Sequence, residues 1–172
     1  MKRLNTILFI FYLFSLVSVQ AGELPAGIIK PKPFPAPELH VSDIDGIPLE
    51  KSEYQGKWLF IHFWASWCGP CRREVPAIEK MWSEMKKEGL ALAFINTAED
   101  EDTIFSFLSV YGPGLRAFMD KDGLATEQWK PRGLPATYLV DPDGIVRYQA
   151  LGGRDWHSPA YLKFLRNLVK SQ

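Results

Sequence analysis

The chain has 172 residues, with 20 basic and 20 acidic side chains. This even balance leaves no basic field that would hold DNA or RNA, so we expect no nucleic-acid partner. Only two cysteines and three histidines are present, and the histidines are scattered. A structural zinc site normally needs four Cys or His ligands, so the sequence does not indicate one.

The first 21 residues have the pattern of a targeting segment. Two basic residues come first, an apolar stretch follows, and small side chains occupy the positions expected for cleavage after Ala21. The apolar stretch is short for a full membrane span, although an uncleaved anchor formed by residues 4–20 is the alternative. In both cases we expect the folded part to lie outside the cytoplasm. Cleavage would leave about 151 residues, which suits one domain.

The segment 22–37 is rich in proline. This composition predicts an extended linker or arm with little core of its own, and it favours a disordered spacer behind the signal peptide. The predicted folded domain therefore runs from residue 38 to residue 172. At its start, residues 38–49 flank an Asp45-Gly46 turn and predict a short hairpin.

The rest of the chain alternates between strand and helix patterns. A continuous apolar run at 58–64 predicts a strand that is covered on both faces. The other predicted strands are 90–96, 136–140 and 145–150, with 115–119 as a strand or loop. The predicted helices follow the cysteines as far as Gly89, then cover 104–111, 124–129 and the segment after Ser158. This order predicts an α/β fold in which helices flank both faces of a central mixed sheet.

The two cysteines, Cys68 and Cys71, lie three positions apart, where the strand at 58–64 gives way to a helix. This spacing makes a dithiol that can close into a small disulfide ring and reopen. The attacking species in thiol chemistry is the thiolate, so such a site must stabilise negative charge. The unpaired N–H groups and the positive dipole end of a helical first turn do so.

Cys68 stands at this first turn, and we assign it as the nucleophile. Cys71 lies one turn further along and is expected to be more buried, so we assign it as the resolving thiol. Gly69 lets the backbone turn tightly. Pro70 fits a first helical turn because its missing N–H is not needed for helix bonding.

Three other interpretations of the cysteine pair compete with this one. A structural disulfide usually joins distant segments, and a ring this small adds little constraint to the chain. A structural zinc site lacks ligands, as described above. A c-type haem attachment needs histidine directly after the second cysteine, and Arg72 occupies that place.

The stretch from Phe63 to Cys71, FWASWCGPC, closely resembles the thioredoxin active site. Its continuation RREVP at 72–76 and the sequence GLPATYLVD at 133–141 resemble the TlpA/ResA/DsbE branch of the thioredoxin superfamily. The resemblance covers about residues 35–170, and two motifs in the right order make it more specific than a lone cysteine pair. It implies the thioredoxin-like fold, with an N-terminal β-hairpin before the core.

The resemblance also implies the surroundings of the dithiol. The bond between Leu134 and Pro135 should be cis, with Pro135 packed beside the disulfide and Leu134 helping to set substrate preference. A simple turn proline is the alternative. Trp67 precedes the nucleophile and is expected to form a flat apolar wall for the substrate, next to Gly69 and Pro70.

Two further residues concern proton transfer. The resemblance implies that Glu74 is buried near the dithiol, where it tunes or relays protons. An exposed glutamate favoured by the helix dipole is the alternative. Many thioredoxins have a buried aspartate six residues before the first cysteine, and His62 occupies that position here. We interpret His62 as a core histidine with one hydrogen bond, and proton transfer through its neutral ring is the alternative.

These observations predict an exported thiol–disulfide oxidoreductase that reduces disulfides in other proteins, without a cofactor or metal. A dithiol in an oxidising compartment becomes a disulfide unless a partner reduces it, so we expect a membrane-embedded electron donor. The resemblance suggests a bacterial periplasm, with apocytochrome c or a metal-site assembly factor as substrate. The alternatives are a disulfide oxidase or isomerase, or a non-enzymatic redox or metal-binding module.

Overall fold

The computed structural model describes residues 24–171. The targeting segment predicted at 1–21 lies outside the described residues. The strands are β1 (Ile28–Ile29), β2 (Phe34–Pro35), β3 (Ser42–Asp43), β4 (Leu59–Trp64), β5 (Ala91–Thr97), β6 (Ala117–Asp120), β7 (Ala136–Val140) and β8 (Ile145–Leu151). The helices are α1 (Lys51–Tyr54), α2 (Gly69–Glu88), α3 (Glu101–Tyr111), α4 (Leu124–Trp129) and α5 (Pro159–Lys170). Within the described range, no helix combines the length and apolar character needed to cross a membrane.

The strands form one mixed sheet in the order β1-β8-β7-β4-β5-β6-β3, and β2 also pairs with β8. Strands β4, β5 and β6 are parallel to one another, whereas β7 and β8 run antiparallel to their neighbours. Helices α2, α3 and α5 pack on one face, and the shorter α1 and α4 lie on the other. The predicted thioredoxin-like arrangement is confirmed.

The central strand β4 is buried along its whole length. Phe60 and Trp64 face the larger apolar cluster under α2, α3 and α5, while Leu59, Ile61 and Phe63 face the smaller one. Side chains of a strand point alternately to the two faces of its sheet. A strand covered on both faces therefore needs the continuous apolar run seen in the sequence.

Helix α2 begins at the cysteine pair and runs for 20 residues. Cys68 is its N-cap residue, and Pro70 occupies the first turn, where the helix does not need the missing N–H. Gly89 ends it in the left-handed region, with φ of 100°. The buried face of α2 consists of Cys71, Glu74, Val75, Ile78, Met81 and Met85. One carboxyl group therefore lies in an otherwise apolar surface.

The proline-rich segment does not form a disordered spacer over its described part. Ile28 and Ile29 pair with β8, and Phe34 and Pro35 pair with the same strand further along. The composition argument was wrong here because it considered only the segment itself. An open edge of the sheet offers N–H and C=O groups along β8, and a short extended segment can pair with them despite nearby prolines.

The hairpin expected at 38–49 is reduced to a single bridge between Ser42 and Pro48. The Asp43 N–H donates to the Ile47 carbonyl at 2.8 Å, which closes the predicted turn. Strand β3 also pairs antiparallel with β6. The segment after the turn forms no strand of its own, although the Leu49 N–H donates to the Val41 carbonyl at 2.9 Å on the other side of the bridge.

We expect Ile28→Ala to destabilise the protein by about 2 kcal/mol, because Ile28 is only 7% exposed and joins the larger apolar cluster. Ile29→Ala is the matched control: its side chain is 55% exposed, and the change should stay within about 0.5 kcal/mol. Urea unfolding of both variants measures the difference. Equal changes in the free energy of unfolding for the two variants would show that the burial of the Ile28 side chain adds nothing to stability.

Candidate active site

The two cysteines are joined by a disulfide at the start of α2. Cys68 retains 5% exposure and Cys71 has none, so Cys68 is the outer sulfur. The Cys71 N–H donates to the Cys68 sulfur at 3.3 Å. After reduction, a thiolate at Cys68 would face this donor and the other unpaired N–H groups of the first turn, which stabilise negative charge.

The bond between Leu134 and Pro135 is cis, as predicted. Pro135 directly precedes β7, and the first residue of β7, Ala136, pairs with Phe63 near the end of β4. The active-site loop also leaves from the end of β4. The sheet therefore brings the cis bond and the start of α2 to the same end of the molecule, although Cys71 and Pro135 are 64 positions apart along the chain.

The side chain of Trp67 is 69% exposed. Leu134 is half-buried, and Leu151, at the end of β8, is exposed. Leu151 lies within contact distance of the position that a Cβ on Gly133 would occupy. The structure thus leaves apolar side chains accessible directly before Cys68 and before the cis bond.

The loop after β8 contacts the active-site turn directly. The Gly152 N–H donates to the carbonyl of Pro135 at 2.8 Å. A Cβ added to Gly153 would lie 3.0 Å from the carbonyl oxygen of Pro70, so only glycine allows this close approach without displacing the Cys-Gly-Pro-Cys backbone. Sequence reasoning identified neither glycine.

Glu74 is buried, as the resemblance implied, with 1% of its side chain exposed. One carboxyl oxygen accepts a hydrogen bond from the Arg154 N–H at 2.9 Å. The other lies 3.0 Å from Nε2 of His62, whose side chain is also 1% exposed. This second pair is close enough for an ion pair but is not aligned as a hydrogen bond. Glu74 and Cys71 share the buried face of α2, one turn apart.

His62 makes the single hydrogen bond that we expected, and its other ring nitrogen lies next to a carboxyl oxygen of Glu74. Its Nδ1 lies 2.9 Å from the hydroxyl oxygen of Thr137 on β7. The ring stacks on Phe94, with centroids 5.5 Å apart. These contacts fix the ring plane, and Nε2 lies close to Glu74 without being aligned for a hydrogen bond.

A second carboxyl group, that of Glu99, holds the loop before the cysteines. It accepts hydrogen bonds from the Ser66 N–H at 2.7 Å, the Ser66 hydroxyl at 2.5 Å and the side-chain amide of Asn96 at 2.6 Å. Ala98, directly before it, has a φ of 61°, a conformation that non-glycine residues rarely adopt. Sequence reasoning missed this contact, because no local pattern connects residues 33 positions apart.

The loop that follows Gly153 is fixed to the core and to α2. Trp156 is fully buried and packs edge-on against Phe60, with ring centroids 4.7 Å apart. His157 Nε2 lies 2.7 Å from Glu84 Oε1 on α2. The imidazole of His157, followed by the guanidinium of Arg166, holds the pKa of the Glu84 carboxyl below its ordinary value. Trp156 and His157 therefore hold this loop in place through these contacts.

The profile of the AhpC/TSA family matches residues 34–149, more than half of the 172-residue chain. The chain belongs to this family. The match includes the cysteine pair, Glu74 and Pro135, and it begins at β2 of the N-terminal arm.

This AhpC/TSA family protein is similar to two relatives named thiol-disulfide oxidoreductase ResA. That of Bacillus subtilis is 30% identical over 111 residues, which are 64% of this chain and 62% of the relative. That of Halalkalibacterium halodurans is 33% identical over 113 residues, or 66% of this chain and 64% of the relative. The match therefore spans less than two thirds of the length of either relative.

Among solved structures, the AhpC/TSA family protein resembles one from Chlorobium tepidum that is described as a thiol:disulfide interchange protein DsbE. The TM-score is 0.68 at 26% sequence identity, and the match covers 83% of this chain and 98% of that one. The thioredoxin-like fold therefore extends over almost the whole of that neighbour.

The contact between Thr137 and His62 should contribute measurably to stability. Thr137→Val keeps the side-chain shape but leaves a buried ring nitrogen without its partner, which costs about 2 kcal/mol. Thr137→Ser keeps the hydroxyl and removes one methyl group, at a cost of roughly 1 kcal/mol. Urea unfolding compares the two variants. If valine is tolerated as well as serine, the hydroxyl does not stabilise His62.

Proposed function

We propose that this protein is a thiol–disulfide oxidoreductase that reduces disulfides in other exported proteins. The observation that carries the proposal is the position of the Cys68–Cys71 disulfide: its outer sulfur caps α2, its inner sulfur is fully buried, and a cis proline lies at the same end of the sheet. The ResA relatives support the same chemistry by their names.

The proposed reaction begins with the reduced pair. The Cys68 thiolate attacks one sulfur of a substrate disulfide, a bond forms between Cys68 and that sulfur, and the other substrate sulfur leaves as a thiolate. Cys71 loses its proton and attacks Cys68, which forms the Cys68–Cys71 disulfide and releases the second substrate thiolate. The substrate gains the two electrons that the enzyme pair loses. The protons of Cys68 and Cys71 pass finally to solvent, and the two substrate thiolates take up two protons from it.

The substrate-binding surface in this proposal consists of apolar groups around Cys68. Trp67 is exposed and provides a flat wall, and Gly69 and Pro70 are exposed on the turn next to Cys68. Leu134 precedes the cis bond, where its backbone can pair with an extended substrate segment. Pro135 offers no N–H and no metal ligand, so it protects the dithiol from adventitious metal ions.

Glu74 is the proposed proton acceptor for the resolving step. It lies on the buried face of α2 with Cys71, and only 1% of its side chain is exposed. A proton leaving Cys71 needs an acceptor inside the protein, and a carboxylate within a turn of the helix is suited to that task. His62 is the next polar group inward from Glu74, and it can share the proton.

The direction of electron flow is proposed as reduction because Cys-Gly-Pro-Cys is the pairing found in thioredoxin. The substrates are disulfides of extracytoplasmic proteins, such as apocytochrome c before haem attachment or a metal-site assembly factor. A membrane-embedded dithiol donor restores the reduced pair after each turnover. The segment at 1–21 directs the chain to the periplasm in this proposal.

Trapping of a reaction intermediate tests the exchange chemistry. Cys71→Ser removes the resolving thiol, so mixed disulfides through Cys68 should accumulate in cells and run as larger species on non-reducing gels. Cys68→Ser is the matched control, because the remaining thiol is buried and should capture far less. Isolation of no Cys71→Ser adducts from the native compartment would count against a protein-disulfide substrate.

The reduction potential tests the direction. A value near that of thioredoxin, about −270 mV, or lower is expected for a reductase that depends on a dedicated donor. Equilibration of the protein with a thiol/disulfide buffer gives the value, with Trp67 fluorescence as the signal. A value near that of a strong oxidant, about −120 mV, would reverse the proposed electron flow and leave the nucleophile assignment intact.

A further inference from the structure

Arg154 joins the buried Glu74 to the N-terminal arm, which we define as residues 24–35. Its main-chain N–H donates to Glu74 Oε2 at 2.9 Å. Its guanidinium turns the other way and donates to the carbonyls of Gly27 at 2.6 Å, Gly152 at 2.7 Å and Leu151 at 3.0 Å. One residue therefore contacts both the carboxyl group behind Cys71 and the arm.

The acceptor on the arm is itself held in place. Residues on both sides of Gly27 are bonded: the Tyr161 hydroxyl donates to the Ala26 carbonyl at 2.7 Å, and Ile28 pairs with Ala150 on β8. Bonds from a guanidinium to carbonyl oxygens are charge-assisted and stronger than those between neutral groups. The arm therefore limits where the Arg154 side chain, and the loop that carries it, can lie.

We propose that Arg154 is a positioning residue for Glu74, and that the docked N-terminal arm thereby tunes the reactivity of the dithiol. An N–H aimed at a carboxyl group favours its ionised form. When the loop moves away, the carboxyl group of Glu74 loses this donor. A neutral neighbour opposes a thiolate less than a carboxylate does, so the cysteine pair then ionises at lower pH. This inference rests on the dithiol chemistry proposed above.

Other charged groups face Glu74 and must stay unchanged in a test. His62 approaches it from β4. The charged and titratable groups that line the groove outside it are Arg73 and Lys80 on α2, with Asp155 and His157 on the loop. The variants below leave all of these side chains in place, so a change can be assigned to the contact between Arg154 and the arm.

Gly27→Ala separates the arm from Arg154 without a change near the cysteines. A Cβ at Gly27 would lie 2.2 Å from the guanidinium Nη2, so the side chain has to leave its carbonyl partner. Gly46→Ala is the matched control. The φ values are nearly equal, +73° and +78°, so both variants carry the same backbone strain, but a Cβ at Gly46 meets nothing within 4 Å.

The measurement is the alkylation rate of the fully reduced, full-length protein by iodoacetamide as a function of pH. We expect the midpoint for Gly27→Ala to fall by about 0.5 pH unit, which corresponds to roughly a threefold higher thiolate fraction below the midpoint. Gly46→Ala should match the wild type. Arg154→Met keeps the stem but removes all guanidinium donors, so it should reproduce the shift and replaces Gly27→Ala if that variant does not fold.

The same variants in a Glu74→Gln background show whether the effect passes through the carboxyl group. The shift from Gly27→Ala or Arg154→Met should disappear there. A shift that persists, or alkylation profiles indistinguishable from that of Gly46→Ala, would overturn the inference. The measurement needs no substrate. The inference about Arg154 can therefore fail while the proposed reductase activity holds. A wild-type cysteine pair that never reacts with iodoacetamide would instead refute the dithiol chemistry itself.

Discussion

A carboxyl group inside an apolar core is the constraint around which this structure is arranged. Leaving a charge buried without partners costs several kcal/mol, so the surrounding chain has to provide them. The partners of Glu74 come from the middle of β4, through His62, and from the loop after β8, through the Arg154 N–H. Strand β4, helix α2 and the distant loop after β8 are thus required to meet behind the cysteines.

Helix α2 has a second electrostatic feature, which lies at its surface end. Its first turn concentrates unpaired N–H groups at Cys68, whereas its buried side carries Glu74 one turn beyond Cys71. The helix N-terminus at Cys68 and the buried carboxyl group of Glu74 therefore lie on one element. The loop before this turn is held by Glu99 through Ser66, so the position of the cysteines does not depend on the helix alone.

The features that were predictable from the sequence are those that depend on residues close together along the chain. The continuous apolar run gave β4, and Cys68, Pro70 and Gly89 marked the two ends of α2. The cis bond before Pro135 was accessible only through resemblance to a family, because no local signal distinguishes it from a turn proline. The placement of these elements in one fold followed from their order along the chain.

The features that were missed depend on pairs of distant residues. Glu74 and Arg154 are 80 positions apart, and the donor is a main-chain N–H that any residue type except proline would provide. The docking of the arm likewise depends on the free edge of β8, which the composition of the arm does not reveal. The Asp45-Gly46 signal correctly marked a turn, but the strand before it pairs with β6.

The short strands at both ends of the sheet have a consequence for how the protein behaves at high concentration. A long, bare edge strand is a template on which other chains add strands and aggregate. Here one end is closed by β1 and β2, which contain two residues each and lie among prolines without N–H donors. At the other end, β3 is equally short, and Arg116 binds its Asp43. The sheet therefore offers very little backbone on which a second chain could start a fibril.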